Sequence, residues 1–500
     1  MARALPLLVI AACGGDGPFM IVTVESQPAV HDVAKIEVEL DNEGTTRGDS
    51  FVVNDPTFPA TFSISVPGLS GDLSISLRAT DADGLLVGLG SSSTTIDSLA
   101  ATVVLDSADF VVNTEFADDQ FPSNDFESHG FQVGAGADGV WTAVYRDGCA
   151  APCNMFARRF DVTGQPVDSG LAAGTNGFAI STELSDGFFT TPATATAGAI
   201  TVALWNFSEA PPATGSGVAC RAIDAAGNGI GDQVTISVET VFPFAVAVAP
   251  LSNGNFAAVW NSSTTDNVVR AAIVSPQCQP SNVLDISTVV GTAGAIRPSV
   301  IANEDKVMYG WVLDGTARLR VMNSTNQQVS TDQLVADKTA TDLVRFVRVA
   351  KLGTGFGVFV RWATTTSMGP GKIELYKTNN VGMLMGPPTL ITTKTSSDFD
   401  SAQGFSVATR PDDGSILVAW HTCGEISDDS GCGVFGHLVS SAGVPVGSDF
   451  NLATTTDLDQ TSPSVIGLPG AFAATWRDLS KQEPDVAGTA VRGRVLYPSI

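Results

Sequence analysis

The sequence predicts an all-β chain, an N-terminal immunoglobulin-like sandwich followed by a seven-bladed β-propeller. Three observations carry that expectation. Trp205, Trp260, Trp311, Trp362, Trp420 and Trp476 recur 55, 51, 51, 58 and 56 residues apart, and a fixed period of this length built from β-runs is the mark of a propeller or array. Each tryptophan ends an apolar run that usually follows a short turn, as in Asn253 to Trp260 (NGNFAAVW) and Asp413 to Trp420 (DGSILVAW). A further copy upstream, Asp138 to Tyr145 (DGVWTAVY), places Tyr145 in the tryptophan slot and brings the count to seven. Composition agrees: glycine is abundant, Ser and Thr crowd the chain, lysine is scarce, and no long amphipathic helical pattern is seen.

Residues 18–107 precede the repeats and contain neither tryptophan nor cysteine. They alternate apolar with polar residues in Lys35–Leu40, Thr61–Val66 and Leu73–Leu77. Period-two alternation means strands with one buried face, and several of them separated by turns predict the sandwich. Asp81 and Asp83 suggest calcium at first sight, but Asp83-Gly84 between two strands reads as a hairpin turn.

From residue 108 to 500 each repeat reads as four strands. The first carries small and apolar residues (Pro298–Ile301, Pro463–Ile466), and the second runs into the tryptophan. That second strand is apolar on both faces and so must be covered on both, as when blades stack. The last repeat stops after its third strand. Residues 108–120 match 448–460 without a gap, with Asp109, Phe110, Thr114, Asp119 and Gln120 identical to their counterparts. Residues 109–114 are therefore expected to supply the missing outer strand of blade seven, which would remove two free sheet edges.

The formal net charge is −26. A surface this acidic repels phosphate backbones and anionic lipid, which excludes nucleic acid as a partner. Residues 1–13 have the form of a secretory signal, with one basic residue, a short apolar run and small residues before Cys13. Ile10-Ala11-Ala12-Cys13 resembles the bacterial lipobox, which implies lipidation at Cys13, a tether at 14–17 and, from Gly14, the outer membrane. No other stretch reaches the ~20 apolar residues of a membrane helix, so membrane attachment is expected through lipid alone.

The six remaining cysteines are even in number, as expected of an exported chain. Cys149 with Cys153 and Cys423 with Cys432 lie close enough in sequence to pair locally. Cys220 and Cys278 occupy similar places on neighbouring blades, and a bridge between them follows by elimination. Taken together, the chain resembles bacterial surface lipoproteins that carry a small sandwich followed by a seven-bladed propeller. It departs from the Gly-His/Trp-Asp pattern of WD40 repeats and from the Ser-x-Asp-x-Gly-x-Thr-Trp box of sialidases, so no family activity is carried over.

Candidate chemistry is sparse. His421 and His437 flank the Cys423–Cys432 hairpin and could share a metal, yet Arg158, Arg221, Arg320, His437 and Arg494 fill one repeated slot, which points to a structural ion-pair position. Asp118, Asp119, Asp398, Asp400, Asp457 and Asp459 make the blade crossings acidic. They could bind Ca²⁺ through carboxylate oxygens, or stand as solvated charge or caps on loop amides. Nucleophile elbows, Walker loops and HExxH helices are absent. The expected function is a lipid-anchored surface protein whose propeller is a non-enzymatic scaffold for a protein or glycan partner. The alternatives are an exported glycan-active hydrolase or lyase using carboxylates on the propeller face, and a purely structural envelope protein.

Overall fold

A computed structural model describes residues 19–53, 56–66, 69–113, 133–146, 155–167, 177–181, 189–208, 215–239, 245–262, 268–287, 297–364, 371–394, 405–423, 431–486 and 488–498. The chain divides into two compact units, one of Met1–Phe110 with Thr163–Gln165 and Arg494–Tyr497, the other of Val111–Val162, Pro166–Gly493 and Pro498–Ile500.

In the first unit the alternating stretches are strands. Leu73, Ile75 and Leu77 are buried in Asp72–Thr80 while Ser74 and Ser76 face out. Where two facing immunoglobulin-like sheets were expected, the strands join into one curled sheet. Its order is Thr45–Val52, Lys35–Asn42, Asp72–Thr80, Leu86–Thr95, Ala100–Ser107, Phe19–Ser26, Ala60–Ser65. The physical reason is that Ala100–Ser107 pairs on both sides. It runs parallel to Phe19–Ser26, and its end pairs antiparallel with Gly88 and Leu89. Gly90 permits the approach, since a Cβ there would collide with the Val104 carbonyl. The Asp81 carboxylate accepts the backbone N–H groups of Asp83 and Leu85 at 3.0 and 2.8 Å, as a turn does, and Gly84 takes φ +85°.

The second unit contains the propeller. Seven four-stranded antiparallel sheets follow one another along the chain, and the period read from the tryptophans is the blade period. The second strand of each blade is enclosed on both faces: all of Ile416–Trp420 is buried, and so is Phe256–Ser262. Trp205, Trp260, Trp311, Trp420 and Trp476 are completely buried, with Trp362 at 6% and Tyr145 at 3% exposure. Stacking the blades buries both faces of these second strands, which is the source of the core.

In the seventh sheet the outer strand is Phe110–Val111, beside Ala490–Leu496. The contacts repeat those of blade six. The Val112 N–H donates to the Val491 carbonyl at 2.7 Å, just as Leu452 donates to Val434 at 3.0 Å. The Asn113 side chain adds a bond by accepting from the Val491 N–H at 2.8 Å.

The repeated cationic slot does more than pair with acids. Arg158 donates to the carbonyl of Val112, Arg221 to those of Ala179 and Ile180, and Arg320 to that of Ile286. Each of these carbonyls lies at or just beyond the outer strand of the preceding blade. Arg494 likewise donates to a carbonyl, that of Ser107. His437 meets an acid, Asp449, at 2.7 Å, and Asp109 and Asp106 act electrostatically on Arg494. The slot therefore ties blade to blade by capping carbonyls that would otherwise be left unsatisfied.

Candidate site in the central channel

The first strand of each blade lines a central channel of about 140 Å³. Its walls are Val133–Ala135, Thr194–Thr196, Val248–Pro250, Ser299–Ile301, Arg348–Val349, Ser406–Val407 and Ser464–Ile466, one segment per blade. These strands are the inner edges of their sheets, so some of their backbone N–H groups need acceptors outside the ladder. Serines supply them. Ser299 Oγ accepts the N–H of Val349 on the next blade at 3.2 Å, and Ser406 Oγ accepts that of Val465 at 3.2 Å. The blades also pack closely here: a Cβ on Gly134 would lie 3.1 Å from the backbone of Ala195. That explains the glycine at position 134.

Arg348 is the one charged residue among the described lining residues. Its Nε donates to the Phe405 carbonyl at 2.9 Å and its Nη1 to the Val347 carbonyl at 3.0 Å. Burial lowers its pKa to about 10, and nearby Arg297 acts in the same direction. The Phe346 ring, on the same strand, carries three guanidinium groups: Arg297 at 4.2 Å, Arg348 at 5.6 Å and Arg361 at 5.6 Å from its centroid. Cation–π attraction partly offsets the desolvation of these groups. Arg297 is also fixed by donating to the Arg345 carbonyl at 2.6 Å.

No carboxylate is among the described lining residues. Buried acids elsewhere are committed to their own surroundings. Glu239 accepts from Trp260 Nε1 (2.8 Å), Ser262 Oγ (2.6 Å), Ser237 Oγ (2.7 Å) and Arg270 Nη1 (2.7 Å). Burial opposes its ionisation, but these donors together hold its pKa below the usual glutamate value. Asp478 pairs with Arg492 Nε at 2.7 Å in the seventh blade.

The acidic crossings divide into two groups. Asp118, Asp119, Asp398 and Asp400 lie outside the described residues. Asp459 Oδ1 caps the backbone N–H of Cys432 at 2.9 Å, and Asp457 contacts the Gln482 side chain and accepts from Gln460 Nε2 through its carbonyl. Both thus cap loop groups, and no group of three or more His, Cys, Asp or Glu suited to a metal occurs among the described residues. Two disulfides are present, Cys220–Cys278 across blades two and three and Cys423–Cys432 across one hairpin. Cys13, Cys149 and Cys153 fall outside the described residues.

His421 and His437 do not form a metal pair. His437 is held by Asp449, and His421 is buried at 1% exposure with its Nδ1 lacking a partner among the described residues. Burial, with Arg361 adding to it, pushes the His421 pKa down to about 3. The folded state therefore keeps it neutral, while the unfolded chain takes up a proton below about pH 6.5. Stability is full above that pH and falls as pH drops toward the folded pKa, at up to about 1.4 kcal/mol per unit. His421→Gln should flatten that slope between about pH 6.5 and 5, above the range where unfolded carboxylates titrate. Urea midpoints measured across this window check it, and an unchanged slope in the variant would assign the effect to other groups.

Sequence reading missed Arg348 and Phe346. The available signal was their departure from the small and hydroxyl residues seen in the same strand of other repeats, such as Pro298–Ile301.

No protein-family model matches the chain, and no curated protein matches it. Solved structures align with the chain at low scores. A polysaccharide lyase described as an ulvan lyase of family PL25 aligns at TM-score 0.47 and 9% identity, over 77% of this chain and 95% of its own. The Hadza microbial sialidase Hz136 aligns at TM-score 0.45 and 9% identity, over 97% and 94%. An α-L-arabinanase of Penicillium chrysogenum aligns at TM-score 0.40 and 14% identity, over 62% and 94%. Identities this low concern the fold alone. Among the solved structures that align with this chain are a lyase, a sialidase and an arabinanase. This is at odds with the expectation of a non-enzymatic binding scaffold and corrects it, with no activity carried over.

Proposed function

We propose that the protein is an exported, glycan-active enzyme, a hydrolase or lyase that takes a sugar unit at the central channel of its propeller. The observation that carries this reading is the channel lining. Hydroxyls of Thr194, Thr196, Ser299, Ser406 and Ser464 alternate with small apolar residues around a space of about 140 Å³. That space is smaller than the 300–1,000 Å³ pockets that enclose drug-sized ligands. It suits one sugar ring or substituent, with hydroxyls to exchange hydrogen bonds and small apolar groups to cover C–H faces. No described residue is assigned as catalytic acid or base.

Export is supported by the two disulfides, and a lipid anchor by the lipobox-like segment ending at Cys13. One experiment tests the activity and the location together. Membrane and soluble fractions of cells expressing wild type or Cys13→Ser are assayed on a panel of neutral and acidic polysaccharides. Hydrolysis releases reducing ends, and elimination also yields an unsaturated product that absorbs in the ultraviolet. Activity is expected in the membrane fraction for wild type and in the soluble fraction for the variant. No product from any polysaccharide would overturn the glycan-active reading, and activity that stays with the membrane in Cys13→Ser would overturn the anchor.

A further inference from the structure

The seven blades are near-copies at the channel wall, and one position breaks the copy. Register with the second strand defines the position, opposite the residue three before the tryptophan slot. It is filled by Gly134, Ala195, Ala249, Ile301, Arg348, Ala408 and Ile466 in blades one to seven. Six blades place a small or apolar residue there, and blade five places an arginine. The same blade departs again two residues earlier. Phe346 stands where the neighbouring blades have Ser299, Ser406 and Ser464, and Arg361 pairs with it where they have Gly310, Ala419 and Thr475. A residue needed to hold the fold would recur as the carbonyl-capping arginines of the third strands do. A single departure on the channel wall is what a binding site requires.

No acid balances the charge of Arg348 among the described residues. The side chain is nine-tenths buried, at 9% exposure, and no ion pair is formed by it among the described residues. Two of its nitrogens donate to carbonyls, while Nη2 is buried and has no hydrogen-bond partner among the described residues. The charged group that acts on it, Arg297, has the same sign. Removing a guanidinium from water without a counter-charge is costly, so a buried, uncompensated arginine on a cavity wall calls for an anion from outside. Ser299 and Ser406 lie on the blades either side. Each uses its oxygen to accept a backbone N–H, which leaves its own O–H to donate.

We propose that Arg348, flanked by the hydroxyls of Ser299 and Ser406, forms an oxyanion subsite in the central channel that receives a carboxylate or similar group. The inference rests on the glycan-active reading for the carrier of that anion, which makes the substrate an acidic glycan, a uronate being the simplest case. The subsite itself stands on the geometry alone. Arg348 is a binding residue here and carries no chemical step.

The test is thermal unfolding of the full chain at constant ionic strength, with chloride replaced stepwise by sulfate, phosphate or D-glucuronate and with D-glucose as the neutral control. Wild type is expected to show a saturable rise in Tm of about 2 °C or more with the oxyanions, and none with glucose. Arg348→Met, which keeps the stem and removes the charge, should lose the response. Arg348→Lys, which keeps charge without the planar fork, should weaken it. The wild-type titration stands on its own if Arg348→Met does not fold. A glucuronate response assigns the subsite to a sugar carboxylate, and a response to sulfate or phosphate alone assigns it to a free anion. No oxyanion response in wild type, or an equal one in Arg348→Met, overturns the proposal. Binding is read without turnover, so an Arg348-dependent shift with no glycan cleaved would overturn the enzymatic reading only. Cleavage without such a shift would overturn the subsite only.

Discussion

Replacing Asp478 with alanine is expected to lower propeller stability by about 3–5 kcal/mol, the usual cost of breaking a buried ion pair from one side. Asp478 and Arg492 meet at 2.7 Å with side chains 1% and 5% exposed. The carboxylate also accepts from Ser480 Oγ at 2.5 Å and Gln460 Nε2 at 3.2 Å, so its loss strands several donors together. Among the described residues Arg492 would keep the backbone carbonyls of Gln482 and Glu483. These neutral acceptors do not balance its charge. Removing both charged groups, in Asp478→Leu with Arg492→Met, should recover much of the loss, since a packed apolar pair can match a buried salt bridge. Urea unfolding of the two variants decides the matter. A loss below about 1 kcal/mol in Asp478→Ala would mean the pair behaves as an exposed one.

The blade architecture was legible because both faces of a strand had to be buried. Only stacked sheets can do that, so apolar runs such as Ile416–Trp420 revealed blades and not an isolated sheet. The 220–278 bridge followed from the same repeat, since equivalent positions on adjacent blades come close in space. Partners were far less legible than positions. The arginine slot was visible in the spacing of Arg158, Arg221 and Arg320, but an arginine that caps carbonyls has the same sequence signature as one that pairs with an acid. The N-terminal alternation indicated one buried face per strand and could not say whether the strands form two sheets or one, because that depends on a single strand pairing on both sides. The channel site was hidden for a similar reason. Arg348 is informative only through its alignment with six apolar counterparts, and that alignment depends on strand register. A single departure from a repeat leaves no local motif, whereas the seven-fold repeat itself does.

The tryptophan slot allows packing to be separated from hydrogen bonding. Trp260→Ala should cost about 3–5 kcal/mol, as for other buried large aromatics, because the ring is fully buried between blades two and three. Part of that cost has a different origin. The Trp260 indole N–H donates to Glu239 at 2.8 Å, and this carboxylate is buried at 2% exposure. Trp311 fills the same slot one blade on, equally buried, and its indole nitrogen has no hydrogen-bond partner among the described residues. Trp→Phe removes comparable ring area from both but takes a charge-assisted hydrogen bond from only one. Trp260→Phe is therefore expected to exceed Trp311→Phe by about 1.5–3 kcal/mol, the usual worth of a hydrogen bond to a charged group. The difference should shrink at low pH. Glu239 has its pKa held down in the fold, so its contribution is present above the unfolded value near 4.3 and is lost as pH falls through the lower folded value. Equal losses in the two Phe variants at neutral pH would show that Ser237, Ser262 and Arg270 suffice to hold Glu239. The indole would then matter only for the space it fills.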